Sequence, residues 1–255
     1  MAQPHFSTDT NSDGITTLTL QRAPVNALSP DFLEALESTF TALVADSACK
    51  ALVIQSAFKV FSAGMDLAEA TGFSAAEEER TARAFTNTFR ALYALPKPSV
   101  CAVGGAAIAG GFFFPAACDF CISSPAANFG LAEVKVGATL PVGPLEIARA
   151  ELTPAGFRRL LLSGDPVKAE EAMAIGLVDQ IVASEELAAE SLAKANSLAA
   201  LPAAAYAQTK ADLRAPALAA IDNAVAGGAH APGKSWFLPD TREHMRAMMS
   251  DRKKA

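Results

Sequence analysis

Phe61-Ser62-Ala63-Gly64-Met65-Asp66-Leu67 and, further along, Ala109-Gly110-Gly111 are two small-residue turns, each preceded by an apolar, strand-like run and followed by a pattern that predicts a helix. Such a turn at a strand end leaves backbone N–H groups without ladder partners, and a helix starting there adds partial positive charge. Two of them facing each other make a site for one negative oxygen. Working outward, residues 15–20, 51–55, 99–103, 118–123 and 178–182 read as β-rich runs separated by helical patterns, which predicts an α/β core. Residues 30–44 carry Phe32, Leu33, Leu36, Phe40 and Leu43 on one helical face, behind Ser29 as N-cap and Pro30 in the first turn. A helix over 75–94 stops ahead of Pro96-Lys97-Pro98. Beyond Val182 the chain becomes Ala-rich, with helices predicted over 185–200, 203–213, 217–225 and 239–252, and a glycine-rich joint over 227–233. Residues 1–185 thus read as the core and 186–255 as a C-terminal helical region.

The 255 residues are 51% hydrophobic, enough to bury a substantial core. A net charge of −6 supplies no long-range attraction for polyanions, so nucleic acid is not an expected partner. No apolar run is long enough for a membrane span, and the first twenty residues lack a basic segment followed by an apolar one, so the expected compartment is the cytoplasm. Cys49, Cys101, Cys118 and Cys121 lie in or beside apolar runs, as buried reduced thiols do. The C-x-x-C formed by the last two has no second pair, and His5, His230 and His244 have no partners at ligand spacing; no metal is expected.

Read in order, Pro24-Val25-Asn26-Ala27-Leu28-Ser29, the Phe61–Leu67 turn, Pro96-Lys97-Pro98, Ala109-Gly110-Gly111 leading to Cys118-Asp119, Phe129-Gly130-Leu131-Ala132-Glu133, and Ala169-Glu170-Glu171-Ala172 with Gly176-Leu177-Val178-Asp179 resemble the crotonase (enoyl-CoA hydratase/isomerase) superfamily. The resemblance covers residues 15–250. It implies a superhelix of repeated β-β-α units, a C-terminal helical region that packs in trimers or dimers of trimers, and a coenzyme A thioester as substrate, with no separate cofactor. The family's two oxyanion-hole amides fall on Met65 and Gly110, and Ala27, Ser62, Ala63, Gly64, Asp66, Leu67 and Gly111 are implied as substrate contacts around them. Amides placed in advance stabilise an enolate oxygen without reorganising during the reaction.

One position departs from the hydratase pattern. Family hydratases use two glutamates; here the first maps to Phe113, within Phe112-Phe113-Phe114-Pro115, and only the second is present, at Glu133. Adding water needs a positioned water and a proton at the neighbouring carbon, work that two carboxylates share, whereas one carboxylate can move a proton from the α-carbon of a 3-enoyl thioester to its γ-carbon. The resemblance is therefore closest to the family's 3,2-enoyl-CoA isomerases, with Phe113 beside the reacting carbons. The alternatives are a hydratase or other acyl-CoA lyase recruiting a substitute acid such as Asp66 or Glu146, and a catalytically silent acyl-CoA-binding protein. Lys97, Lys135 and Arg252-Lys253-Lys254 are candidates for the phosphates of coenzyme A.

Overall fold

The computed structural model describes residues 5–231 and 236–252. A polar hairpin, β1 (Phe6–Thr10) and β2 (Ile15–Leu20), opens the chain and is followed by α1 (Pro30–Ala45), whose Ser29 cap accepts the Phe32 N–H at 3.3 Å. After β3 (Ala51–Ser56) come the single turn α2 (Leu67–Ala70) and the long α3 (Ala75–Tyr93), which starts with a reciprocal Ser74–Glu77 capping box. Next are β4 (Ser99–Val103), β5 (Ala106–Ile108), α4 (Phe113–Ala117), β6 (Phe120–Ser123) and β7 (Asn128–Gly130). The chain continues through α5 (Val142–Glu151), α6 (Pro154–Ser163), β8 (Val167–Lys168), α7 (Ala169–Ala174) and β9 (Gln180–Ile181). It ends in α8 (Leu187–Ala199), α9 (Ala203–Ala226) and α10 (Thr241–Arg252).

The strands form a six-stranded sheet in the order β1-β2-β3-β4-β6-β9, parallel from β2 onward, and a small sheet in the order β5-β7-β8. β4, then β5, then α4 form one β-β-α turn, and β6, then β7, then α5 form the next, so each circuit visits the large sheet, the small sheet and a helix. The circuit begun by β3 reaches the small sheet only as a single parallel bridge, Ser62 with Ala107. Both faces of the large sheet are covered, which explains the nearly unbroken apolar runs of β3 and β4. Leu18, Leu52, Ile54 and Cys101 join the main core with the helices α1, α3 and α4, while Ile15, Val53, Val100 and Ile122 pack against Ala195 and Leu198 of α8.

Several expectations change. The helices expected over 203–213 and 217–225 are one helix, α9, running through Pro216. Proline removes one backbone bond, but Arg214, just before it, is 3% exposed and its guanidinium donates to the carbonyls of Tyr93, Ala117 and Cys118. The same guanidinium lies 2.9 Å from Asp119, which also meets Lys210 at 2.8 Å, so tertiary anchoring holds the helix across the break. Burial drives Lys210 down to about 8, against the opposing pull of Asp119. The strand expected over 118–123 starts only at Phe120, because Cys118 caps α4 and Asp119 faces α9. Residues 227–231 of the expected joint are a hydrogen-bonded turn closing α9; 232 and 233 lie outside the described residues. β1, β5, β7 and β8 had no sequence signal strong enough to assign, being short or polar. The four cysteines are free and buried.

Candidate active site

Each circuit of the superhelix sends one residue to the same place. The first gives Met65, after the Ser62 bridge; the second gives Gly110, just past β5; the third gives Glu133, just past β7. All three line one cavity of about 50 Å³. The two turns are in direct contact: a Cβ on Gly64 would lie 2.9 Å from the Gly110 nitrogen and 2.8 Å from the Ile108 carbonyl oxygen. Gly64 has φ +80°, and Ala109, facing it, is at φ +50°, a conformation that costs a non-glycine residue energy and is held by its neighbours. The helices expected behind these turns are short, a single turn in α2 and a 3-10 turn over Ala109–Phe112 ahead of α4. These turns therefore present their amides with little added helix charge. Gly110 precedes the first internal bond of its 3-10 turn, and no backbone carbonyl among the described turns and loops takes the Met65 N–H.

Asn26 pins the first turn. Its side-chain amide donates to the Phe61 carbonyl at 2.9 Å, and its own carbonyl accepts the Ser62 hydroxyl at 2.8 Å. Ser62 and Gly111, expected among the substrate contacts, are not part of the cavity lining: Ser62 is fully buried and also accepts the Gly64 N–H, and Gly111 backs onto the Ser62 carbonyl. Ala63 and Leu67 do line the cavity. Ala27 and Asp66 lie outside it, in an adjoining groove of about 280 Å³ that shares Ala63, Met65 and Leu67 with the cavity. There Asp66 caps α2 and meets Arg22 at 3.1 Å, so its carboxylate is occupied.

Glu133 is 8% exposed, and its Oε2 is shielded from solvent without a hydrogen-bond partner among the described residues. Burial pushes its carboxyl up to about 7, its own backbone N–H opposing the effect only in part. It is the one acidic side chain among the described residues lining the cavity. The rest of the described lining carries no charged side chain. Of the three consecutive phenylalanines, only Phe113 reaches the cavity; Phe112 and Phe114 are core, with Phe114 edge-on to Phe61 and Phe89. The substitute acids are engaged elsewhere: Glu146 pairs with Arg149 on α5, away from the cavity lining. Among the phosphate candidates, Lys135 pairs with Asp165 and Lys97 donates to the Asp46 carbonyl. Lys253, Lys254 and the side chain of Arg252 lie outside what the structure describes.

Sequence reasoning missed part of the wall. Trp236, Met248, Leu140 and Pro144 line the cavity from distant segments, and Phe85 joins them from α3. The chain's single tryptophan was the available signal. No helix among the described residues is long and apolar enough to cross a membrane.

The chain resembles known proteins in sequence and in fold. The enoyl-CoA hydratase/isomerase family model matches residues 10–231. A crotonyl-CoA hydratase of Syntrophomonas wolfei is 33% identical over 230 residues, covering 90% of this chain and 88% of that one. The structure of a probable enoyl-CoA hydratase of Mycobacterium tuberculosis superposes with a TM-score of 0.81 at 31% identity, covering 88% and 95% of the two chains. The human mitochondrial delta3-delta2-enoyl-CoA isomerase superposes with a TM-score of 0.86 at 25% identity over 98% of both. The fold, the ordered motifs and these likenesses together place the chain in the enoyl-CoA hydratase/isomerase family, with the crotonase fold.

Proposed function

We propose that this enzyme shifts the double bond of a 3-enoyl-CoA to the 2-position, using Glu133 as the single proton carrier and the Met65 and Gly110 amides as an oxyanion hole. The observation that carries the reading is the lone carboxylate among the described lining residues: Glu133 shares its cavity with Phe113, the position at which the family resemblance implies a hydratase's second acid. The Glu133 carboxylate takes a proton from the α-carbon, and the electron pair moves toward the thioester oxygen. The resulting dienolate is held by the two amides, and the same carboxyl returns the proton at the γ-carbon. Protons balance, and no water enters the product. A carboxyl held up to about 7 suits this shuttle, because it is basic enough to accept the proton and acidic enough to give it back. The apolar wall around Phe113 also excludes the water that hydration would require.

The linings of the two spaces support the substrate's placement, with the acyl group in the largely apolar inner cavity beside Glu133 and the coenzyme A portion along the adjoining groove. Met65, lining both, stands at their junction. No metal or cofactor has a part in the reaction. Assembly as a homotrimer or dimer of trimers, and a cytoplasmic setting, complete the proposal. Glu133→Gln tests it: isomerase turnover should fall at least about 100-fold while acyl-CoA affinity stays within a few-fold. Retention of more than a tenth of the wild-type rate would rule Glu133 out as the proton carrier.

A further inference from the structure

Trp236 forms part of the wall of the inner cavity. Trp236 is 8% exposed, stands edge-on to Phe85 at 5.9 Å between ring centroids, and lies 4.8 Å from Phe237. Phe85 in turn abuts the anion turn, because a Cβ on Gly110 would fall 2.5 Å from its Cε1. The indole therefore packs on the ring that abuts the donor amide, on the order of 10 Å from that amide.

Its position is fixed from two sides. The indole N–H donates to the Glu78 carbonyl at 3.1 Å, and the Glu78 carboxylate holds Arg242, at the start of α10. On the other side, the Trp236 carbonyl accepts the N–H and the hydroxyl of Thr139, and Phe237 forms an antiparallel bridge with Ala138. A buried ring held in this way does not yield easily to an advancing chain, since displacing it breaks a buried hydrogen bond as well as its packing.

We infer that Trp236 is the specificity-determining residue that limits this enzyme to short acyl chains. An extended chain advances about 1.2 Å per bond and meets the ring about 4 Å short of it, so about five bonds bring it against the indole. This rests on the acyl group occupying the inner cavity, as proposed above. In an open channel each added methylene would strengthen binding by about 0.8 kcal/mol; against a wall, extra methylenes must leave the cavity or force the ring aside.

The test measures binding separately from catalysis. Calorimetric Kd values are taken for the unreactive hexanoyl-CoA and dodecanoyl-CoA with the wild-type protein and with Trp236→Ala, and kcat/KM for the corresponding 3-enoyl thioesters. Trp236→Leu, smaller than tryptophan but still apolar, covers the case in which the alanine variant does not fold. Wild-type protein should bind hexanoyl-CoA at least tenfold more tightly than dodecanoyl-CoA, and either variant should move that ratio at least tenfold toward the longer chain. Equal wild-type affinities, or variants that weaken both thioesters in parallel, would overturn the inference. If the Kd ratios behave as expected while no isomerisation occurs, the isomerase reading fails and the wall stands. Normal isomerisation with a flat Kd ratio overturns the wall and leaves the isomerase reading intact. Failure to bind either thioester overturns both.

Discussion

Replacing Glu133 by glutamine should make the protein's stability respond to pH in a way that the wild-type carboxyl dictates. In the unfolded chain a glutamate titrates near 4.5, and in the folded cavity Glu133 is pushed up to about 7. The native state therefore keeps a proton that the unfolded chain has already lost across this interval. The sign follows: wild-type stability is undiminished below about 4.5, falls as pH rises toward 7, and is constant above it with respect to this group. At about 1.4 kcal/mol per pH unit, the interval amounts to on the order of 3 kcal/mol. Glutamine carries no charge to desolvate, so the stability of Glu133→Gln relative to wild type should rise by that amount between pH 4.5 and 8. Any cost of burying the amide is independent of pH and drops out of the comparison. For a protein of this size the change corresponds to a relative gain of roughly 6–12 °C in unfolding midpoint. Thermal unfolding of both proteins across this range, followed by circular dichroism, reads it directly. A midpoint difference that stays flat with pH would refute the account of a buried carboxyl held up by desolvation.

The remaining predictions concern the reaction. The pH profile of kcat/KM on a 3-enoyl-CoA should rise through about 7 as Glu133 ionises in the free enzyme, and this limb should be absent from the residual activity of Glu133→Gln; a wild-type limb near 4.5 would mean an exposed base. Gly110→Ala sets a Cβ 2.5 Å from Phe85 and 3.0 Å from Leu28. The turn must shift its N–H, and turnover should fall about 100-fold or more with the circular dichroism spectrum preserved. Near-normal turnover by that variant would remove Gly110 from the anion site.

Much of this site was legible in the residues because local chemistry marks it. Small residues are required where Gly64 meets Ala109 and where Gly110 meets Phe85, and such constraints leave a sequence trace. Ser29 with Pro30 and the spaced apolar face of α1 likewise carry their own signal. What remained hidden depends on contacts distant in sequence. The run through Pro216 is held by Arg214 reaching Tyr93 and Cys118, and no propensity reports that. Whether Asp66 faces substrate or caps a helix is decided by its bonds to the Ala68 and Glu69 amides and by Arg22, a partner forty-four positions away. Trp236 joins the cavity only because Ala138 pairs with Phe237 and α3 offers the Glu78 carbonyl. The small sheet was invisible because its strands are two or three residues long.

One carboxylate moving a proton adds no water, so the fate of solvent oxygen decides between isomerase and hydratase. Wild-type protein incubated with a 3-enoyl-CoA in oxygen-18 water, its products followed by mass spectrometry, should equilibrate 3-enoyl and 2-enoyl thioesters rapidly with little labelled 3-hydroxyacyl product. Efficient incorporation of solvent oxygen by the unmodified protein would instead show that a second acid completes a hydratase.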